Sequence, residues 1–143
     1  MSTTQEVKYP NVGVCAFIIK DNKILLARRI QIEGFGNGDY ALPGGKVDWM
    51  EDPVQAVIRE TYEETGLTIS DITFAGYSND PFEKANKHFV TLYFIIKHIE
   101  GTPTRMEPLK AEEWEWHPLD AIPKNLFCNW LDILGKHIPV KQA

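Results

Sequence analysis

Three glutamates and one arginine are close together in the middle of the chain, as Arg59, Glu60, Glu63 and Glu64. Each residue of a helix turns by ~100°, so these four side chains would share one side of a helix. Carboxylates at this spacing repel one another, and a bound cation would relieve the repulsion. Hard oxygen ligands of this kind suit Mg²⁺ or Mn²⁺. The pattern therefore predicts a helix face that holds a divalent metal ion.

The surrounding residues predict that helix and its ends. A mostly apolar stripe with helical spacing would pack on a core, and it consists of Val54, Val57, Ile58, Thr61 and Thr65. Asp52 suits the N-cap, Pro53 suits the first helical position, and Gly66 suits the C-terminal end. Upstream, the pair Gly44-Gly45 lets the backbone approach a ligand closely. We expect this loop and the helix to form one site.

Together these residues match the signature of the Nudix hydrolases, which runs from a glycine through a glutamate and an Arg-Glu pair to a Glu-Glu pair and a final glycine. The matching positions here are Gly45, Glu51, Arg59, Glu60, Glu63, Glu64, Gly66 and Leu67. Thr61 stands where the pattern usually has a bulky aliphatic residue, and Met50 stands where a glycine often precedes Glu51. The chain thus resembles this superfamily over its most specific motif.

Weaker resemblance to the MutT-like nucleoside triphosphate diphosphatases extends over roughly residues 11–134. It includes HFVTLYF at His88–Phe94 and EPLKAEEWEWHPLDAIP at Glu107–Pro123. The resemblance implies an α/β fold, the Nudix α/β/α sandwich with a mixed sheet. It also implies hydrolysis of a nucleoside triphosphate, canonical or oxidised, to the monophosphate and pyrophosphate. Two alternatives stay open: a nucleoside diphosphate-sugar or dinucleotide pyrophosphatase, and a non-catalytic nucleotide sensor.

By this resemblance, the metal would be Mg²⁺, with Mn²⁺ as a substitute. Its ligands would be Glu60 and Glu64, helped by the Gly45 carbonyl, and Glu63 would be a further ligand or the base that deprotonates water.

The same resemblance assigns supporting roles. Arg59 would orient a glutamate by ion pairing, and Glu51 would brace Arg59 or bind another ion. In relatives the base can come from outside the motif, and Glu112 or Glu113 is the candidate here.

Charge and aromatic residues suggest how an anionic substrate would be held. The formal net charge of −5 argues against binding a nucleic-acid polymer. Local cations for a phosphate would be Arg28, Arg29 and Lys46, and Phe35 and Phe89 could stack on a base. The glycine-rich segment Gln31–Asp39 is either a loop that closes over the ligand or a plain connector.

Patterning along the chain predicts one mixed α/β domain over residues 1–143. The predicted strands are Gly13–Lys20, Lys23–Arg29, Tyr40–Leu42, Ile72–Tyr77, His88–His98 and Glu112–Trp116. Asp21-Asn22 would form a tight hairpin turn. The strand His88–His98 is apolar on both faces and should be central in the sheet. A second amphipathic helix is predicted from Leu126 to Gly135.

Bulk properties suit a compact enzyme of 143 residues, 43% of them hydrophobic. The polar N-terminal segment and the lack of an apolar run of ~18 residues predict a cytoplasmic protein without a membrane span. Cys15 and Cys128 are expected to be buried free thiols. A homodimer is a further expectation, with Trp114 and Trp130 in the interface or simply in the core.

Overall fold

A computed structural model of the protein describes residues 7–30 and 36–143. Two long strands that run in the same direction form the middle of its sheet. These are β1 (Asn11–Lys20) and β6 (Lys87–Glu100), which pair in parallel with Asn11 opposite Phe89. β2 (Lys23–Arg28) lies antiparallel to β1, and β5 (Thr68–Phe82) lies antiparallel to β6. The sheet is therefore mixed, which confirms the prediction.

In the part of the chain that the structure describes, three short strands complete a seven-stranded sheet whose main order is β3-β2-β1-β6-β5. They are β3 (Tyr40–Ala41) beside β2, β4 (Gly44–Lys46) beside β1, and β7 (Glu115–Pro118) beside β2. The α-helices of the described residues are α1 (Pro53–Thr65) and α2 (Leu131–Gly135), and a 3₁₀ turn spans Glu83–Ala85. No helix in the described ranges has the length and apolarity that a membrane crossing requires.

Successive residues of the central strands point to opposite faces, so the sheet has a core on each side. Phe94 and Ile96 of β6 belong to the cluster that includes Val57 of α1. Tyr93 and Ile95 belong to the cluster that includes Leu134 of α2. The predicted α/β/α sandwich and the central, doubly buried position of β6 are both confirmed.

Local signals at the hairpin and at α1 act as the sequence predicts. Asp21 and Asn22 have φ of 51° and 59°, as a tight hairpin turn requires. The Asp52 side chain accepts a hydrogen bond of 2.8 Å from the Val54 amide at the start of α1. Gly66 ends the helix with φ of 75°. Val54 itself is 37% exposed, so its place in the core-facing stripe is wrong: the buried residues of α1 begin at Ala56.

Other boundaries differ from the predictions because long-range pairing decides them. The Gly44-Gly45 segment is not a loop but strand β4, with Val14 opposite Gly45. β5 runs well beyond Ile72–Tyr77 because β6 offers it a partner along its whole length. The last strand begins only at Glu115 and not at Glu112. α2 is shorter than predicted, and Cys128, with φ of 67°, has a left-handed backbone that a helix cannot contain.

Candidate active site

Arg59 is the centre of the acidic cluster and binds four carboxylates. Its Nε and Nη2 donate to the two oxygens of Glu51 at 2.8 and 2.9 Å. Its Nη1 donates to Glu60 at 2.9 Å and to Glu63 at 3.3 Å, and Asp48 lies 3.4 Å from Nη2. The Arg59 hydrogen bond lowers the pKa of Glu51 to about 2. Glu51 therefore stays ionised and fixes the guanidinium that in turn orients the helix carboxylates.

The same guanidinium ties the helix to the loop before it. Arg59 Nη2 donates to the Lys46 carbonyl at 3.1 Å, at the end of β4. The Asp48 amide donates to the Glu51 carboxylate at 3.0 Å. Since β4 is paired to β1, these bonds hold the N-terminal approach to α1 against the central sheet.

Glu64 and Glu60 of α1 face the backbone of β4. The Glu64 carboxylate accepts a 2.8 Å hydrogen bond from the Gly44 amide. Burial raises the pKa of Glu64 to about 8, although the Gly44 bond opposes the shift. Burial also raises the pKa of Glu60, against the lowering effect of Arg59. A Cβ on Gly45 would overlap the Glu60 carboxyl group, so only glycine lets this carboxylate lie against the β4 backbone.

These groups fit a divalent cation of the magnesium type. Burial and the nearby charge of Glu60 both raise the pKa of Glu64, and a cation beside the two carboxylates would offset this cost of ionisation. Within residues 7–30 and 36–143, no three Asp, Glu, His or Cys side chains are gathered as a ready ligand set. Mg²⁺ does not need one, because it is usually held by one or two carboxylates together with water and substrate phosphates.

A cavity of about 570 Å³ lies beside the carboxylates, within the usual size of a ligand pocket. Glu60, Glu64 and the Gly44-Gly45 backbone line one part of it. Aromatic side chains also line it: Phe82, Phe89, Trp114, Phe127 and Trp130. Phe127 stacks on Phe82 at 5.5 Å between centroids and 12° between planes, and the Arg29 guanidinium lies 3.7 Å from the Phe127 ring centroid. The cavity thus joins a charged end to an aromatic end.

Four basic side chains also line this cavity: Arg29, Lys46, Lys87 and Lys110. Of the residues that the sequence analysis proposed for substrate binding, Arg29, Lys46 and Phe89 line this cavity. Arg28 does not, because its side chain is exposed and its guanidinium lies 5.2 Å from the Tyr40 ring centroid. Phe35 and most of the predicted glycine-rich loop fall in residues 31–35, outside the described part of the chain.

Sequence reasoning missed Glu107, which lines the cavity from the loop between β6 and β7. Its carboxylate pairs with Lys110 Nζ at 2.9 Å, and its charge raises the pKa values of both Glu60 and Glu64. Glu112, the predicted base, is exposed and is not among the described residues that line the cavity. Its amide is bound to the Arg28 carbonyl at 2.9 Å, which keeps its backbone beside β2. No local pattern separates these two glutamates.

Cys15 and Cys128 are free thiols, as predicted, but both are only partly buried and both line the cavity. Burial raises the pKa of Cys128 to about 12 and also raises that of Cys15. Both sulfurs are therefore neutral and act as apolar wall groups at neutral pH.

The family model described as the NUDIX domain matches residues 9–132, which is most of the chain. This chain belongs to the Nudix family. An ADP-ribose pyrophosphatase of Methanocaldococcus jannaschii is 37% identical over 119 residues, covering 83% of this chain and 68% of that protein. The 8-oxo-dGTP diphosphatase of Escherichia coli K12 is 30% identical over 100 residues, covering 70% and 73%.

A third relative is longer than this Nudix chain. The NAD-capped RNA hydrolase NudC of Pseudomonas aeruginosa is 29% identical over 118 residues, which cover 81% of this chain but 40% of that protein. Among solved structures, a MutT NUDIX hydrolase from Burkholderia pseudomallei is similar with a TM-score of 0.84 and 31% identity. That match covers 92% of this chain and all of the other.

These matches confirm the Nudix, MutT-like affiliation and the fold. The chain is accordingly a Nudix pyrophosphohydrolase that acts on nucleotide substrates, which argues against a non-catalytic sensor. Nudix hydrolases generally use a divalent metal, in agreement with the carboxylates at the charged end of the cavity.

Proposed function

We propose that this Nudix hydrolase cleaves a nucleoside triphosphate, canonical or oxidised, to the monophosphate and pyrophosphate. The observation that carries the proposal is the set of four basic side chains that line the cavity, Arg29, Lys46, Lys87 and Lys110. They stand in a chain whose net charge is −5. A triphosphate carries about twice the charge of the diphosphate in a nucleotide sugar, so this concentration of cations favours the triphosphate.

In this proposal Glu60 and Glu64, with the Gly45 carbonyl, hold Mg²⁺, and Mn²⁺ can replace it. When bound, the metal neutralises phosphoryl charge and aligns the attacking water. Arg59 orients the Glu60 carboxylate through its 2.9 Å hydrogen bond, and Glu51 holds Arg59 in place. This bracing orients the ligands before the substrate arrives, which reduces the reorganisation needed in the transition state.

Glu107 is our candidate for the base that accepts the proton from water. It lines the cavity together with Glu60 and Glu64, whereas Glu112 does not. Glu63 is held by Arg59 and its side chain is 51% exposed, which suits an outer ligand better than a base. Lys110 is paired with Glu107 at 2.9 Å. Once Glu107 has taken up the proton and become neutral, Lys110 would be released to contact a phosphate.

The aromatic end of the cavity would hold the nucleobase. Phe89 and the stacked pair Phe82 and Phe127 offer ring faces, and stacking of a base on an aromatic ring contributes about 1–3 kcal/mol. Arg29 lies over Phe127 and so brings a cation to the same wall. Stacking accepts any base, so this wall supports a nucleotide without selecting one.

A second candidate function is hydrolysis of a nucleoside diphosphate sugar or a dinucleotide. It is favoured by the 37% identity to an ADP-ribose pyrophosphatase. The two functions differ in their products, because a nucleotide sugar yields two monophosphate-bearing products and no pyrophosphate.

The test is to incubate the purified protein and Mg²⁺ with canonical and oxidised nucleoside triphosphates, ADP-ribose and dinucleotides, and to separate the products by chromatography. We expect one triphosphate to give the highest kcat/KM, with equal amounts of monophosphate and pyrophosphate. Highest kcat/KM on ADP-ribose would replace this proposal by the second candidate. Glu64→Gln is the matched inactive variant, since its amide oxygen can still accept the Gly44 hydrogen bond and preserve the fold.

Location and assembly complete the proposal. We place the protein in the cytoplasm as one domain over residues 1–143, and we propose a homodimer. Light scattering during gel filtration tests the dimer directly, and a monomeric mass at micromolar concentration would exclude a stable one.

A further inference from the structure

We infer that Trp114 is a positioning residue for catalysis: it fixes the loop that carries Glu107 to the end of the metal-binding helix. This loop, residues 102–114, we call the strap. The inference rests on the proposed role of Glu107 as the base, and it explains what holds Glu107 in place. Neither the signature motif nor the family match assigns a function to Trp114.

The strap is bound at both ends to neighbouring carbonyls of α1. The last four carbonyls of a helix have no partner within it, and those of Glu64 and Thr65 are among them. Trp114 Nε1 donates to the Glu64 carbonyl at 3.0 Å. The Thr104 amide donates to the Thr65 carbonyl at 2.8 Å. The two strap ends therefore satisfy successive carbonyls of the helix that carries the proposed ligands.

Within the strap, Arg105 holds the turn that presents Glu107. Its Nε donates to the Ala111 carbonyl at 2.8 Å, and its Nη2 donates to the Pro108 carbonyl at 3.1 Å. The Lys110 amide donates to the Glu107 carbonyl at 3.0 Å, closing the turn. Glu107 and Lys110 therefore move with the strap as one unit.

A third attachment joins the strap to the sheet. The Ile30 amide donates to the Lys110 carbonyl at 2.8 Å. The Trp114 ring also packs on the core cluster that contains Val57 of α1. Trp114 thus binds the backbone carbonyl of Glu64, the residue whose carboxylate is held by the Gly44 amide.

This arrangement makes the Trp114 bond a link between the two halves of the site. One half is the pair Glu60 and Glu64 on α1, and the other is Glu107 with Lys110 on the strap. A displacement of a reacting group by about 1 Å can cost about 100-fold in rate. Loss of the indole N–H should therefore reduce turnover. Because Trp114 also lines the cavity, a lost direct contact with the substrate would raise KM, whereas a lost position of Glu107 would lower kcat.

The experiment compares Trp114→Phe with Trp116→Phe. Both tryptophans pack on the same core cluster, so Trp116→Phe controls for loss of ring size in the core. Trp114 lines the cavity and Trp116 does not, so KM is measured to detect any direct contact of Trp114 with the substrate. We expect Trp114→Phe to lower kcat at least tenfold with KM changed less than threefold. Trp116→Phe should stay within threefold of the parent in both.

Hydrogen exchange of the metal-free protein supplies a reading that does not depend on substrate. Two amides report the attachment of the strap: Thr104 donates to α1, and Ile30, just after β2, donates to the Lys110 carbonyl of the strap. Both should exchange at least tenfold faster in Trp114→Phe and at the parent rate in Trp116→Phe. If exchange is faster but no substrate is hydrolysed, the proposed function is wrong and the attachment of the strap by Trp114 is still supported. Unchanged kcat, or unchanged exchange at both amides, would overturn the inference.

Two further variants keep the test decisive. In a Glu107→Gln background, Trp114→Phe should lower kcat by less than threefold, because Trp114 acts on kcat through the position of Glu107. A further tenfold loss of kcat in this background would overturn the inference. If Trp114→Phe does not fold, Arg105→Met, which removes the brace inside the strap, should lower kcat at least tenfold with KM kept. Parent-like kcat in Arg105→Met would then overturn the inference.

Discussion

Gly45→Ala should test whether catalysis depends on the close approach of β4 to Glu60. Gly45 does not have a left-handed backbone, so alanine can adopt the same conformation without strain. The added Cβ, however, would overlap the Glu60 carboxyl group. To restore an ordinary van der Waals separation of about 3.5 Å, the carboxylate has to withdraw by roughly 1 Å or more.

A displacement of about 1 Å at a catalytic group corresponds to a loss of roughly 100-fold, or about 2.7 kcal/mol in activation free energy. We expect kcat/KM of Gly45→Ala to fall by this amount in a steady-state assay with saturating Mg²⁺. Overpacking should also lower the free energy of unfolding by about 1–3 kcal/mol, measured by urea titration. Gly135→Ala is the control, because its Cβ would lie 3.5 Å from Val140 in ordinary contact.

The cause can be tested with a double-mutant cycle. Glu60→Asp shortens the side chain and removes the overlap, so the double variant Gly45→Ala/Glu60→Asp should lose less activity than the product of the two single losses. Strict additivity would show that the two residues do not interfere. Activity of Gly45→Ala within threefold of the parent would refute the argument from close contact altogether.

Three other predictions concern single positions. Met50→Gly should raise the free energy of unfolding by about 0.5–1 kcal/mol in urea titration, since Met50 holds φ of 64° with its side chain 89% exposed; a loss of stability would contradict this. Thr61→Val should raise the free energy of unfolding by about 1 kcal/mol, because the Thr61 hydroxyl is buried without a hydrogen-bond partner among the described residues. An unchanged urea midpoint would contradict this prediction. Glu107→Gln should lower kcat by roughly 10²–10⁴-fold and Glu112→Gln by less than threefold; the reverse order would return the role of base to Glu112.

The prediction of α1, and of the acidic cluster on its surface, depended on short-range signals in the sequence. The cap at Asp52, the left-handed stop at Gly66 and the spacing of the glutamates are all read within a few turns of one helix. The same holds for the hairpin at Asp21-Asn22, whose residue types tolerate the required backbone. Each of these features depends on neighbours in the chain, so a single sequence reveals it.

Strand and helix limits were less accurate where a partner segment decides them. β4 exists because Gly44–Lys46 pairs with Gly13–Cys15 of β1, thirty residues away in the chain, and two glycines give no strand signal of their own. The length of β5 follows from the length of β6. Local propensity cannot express either fact, because the backbone bonds concerned are long-range.

For the site, the sequence by itself determined which side chains share the α1 face, since helical spacing alone brings Arg59, Glu60, Glu63 and Glu64 together. Only the tertiary structure decided that Gly45 lies against Glu60 and that Glu107, rather than Glu112, joins them in the cavity. The spacing of a helix is a property of consecutive residues. The approach of a strand and a distant loop to that helix is a property of the packed core, which no local pattern encodes.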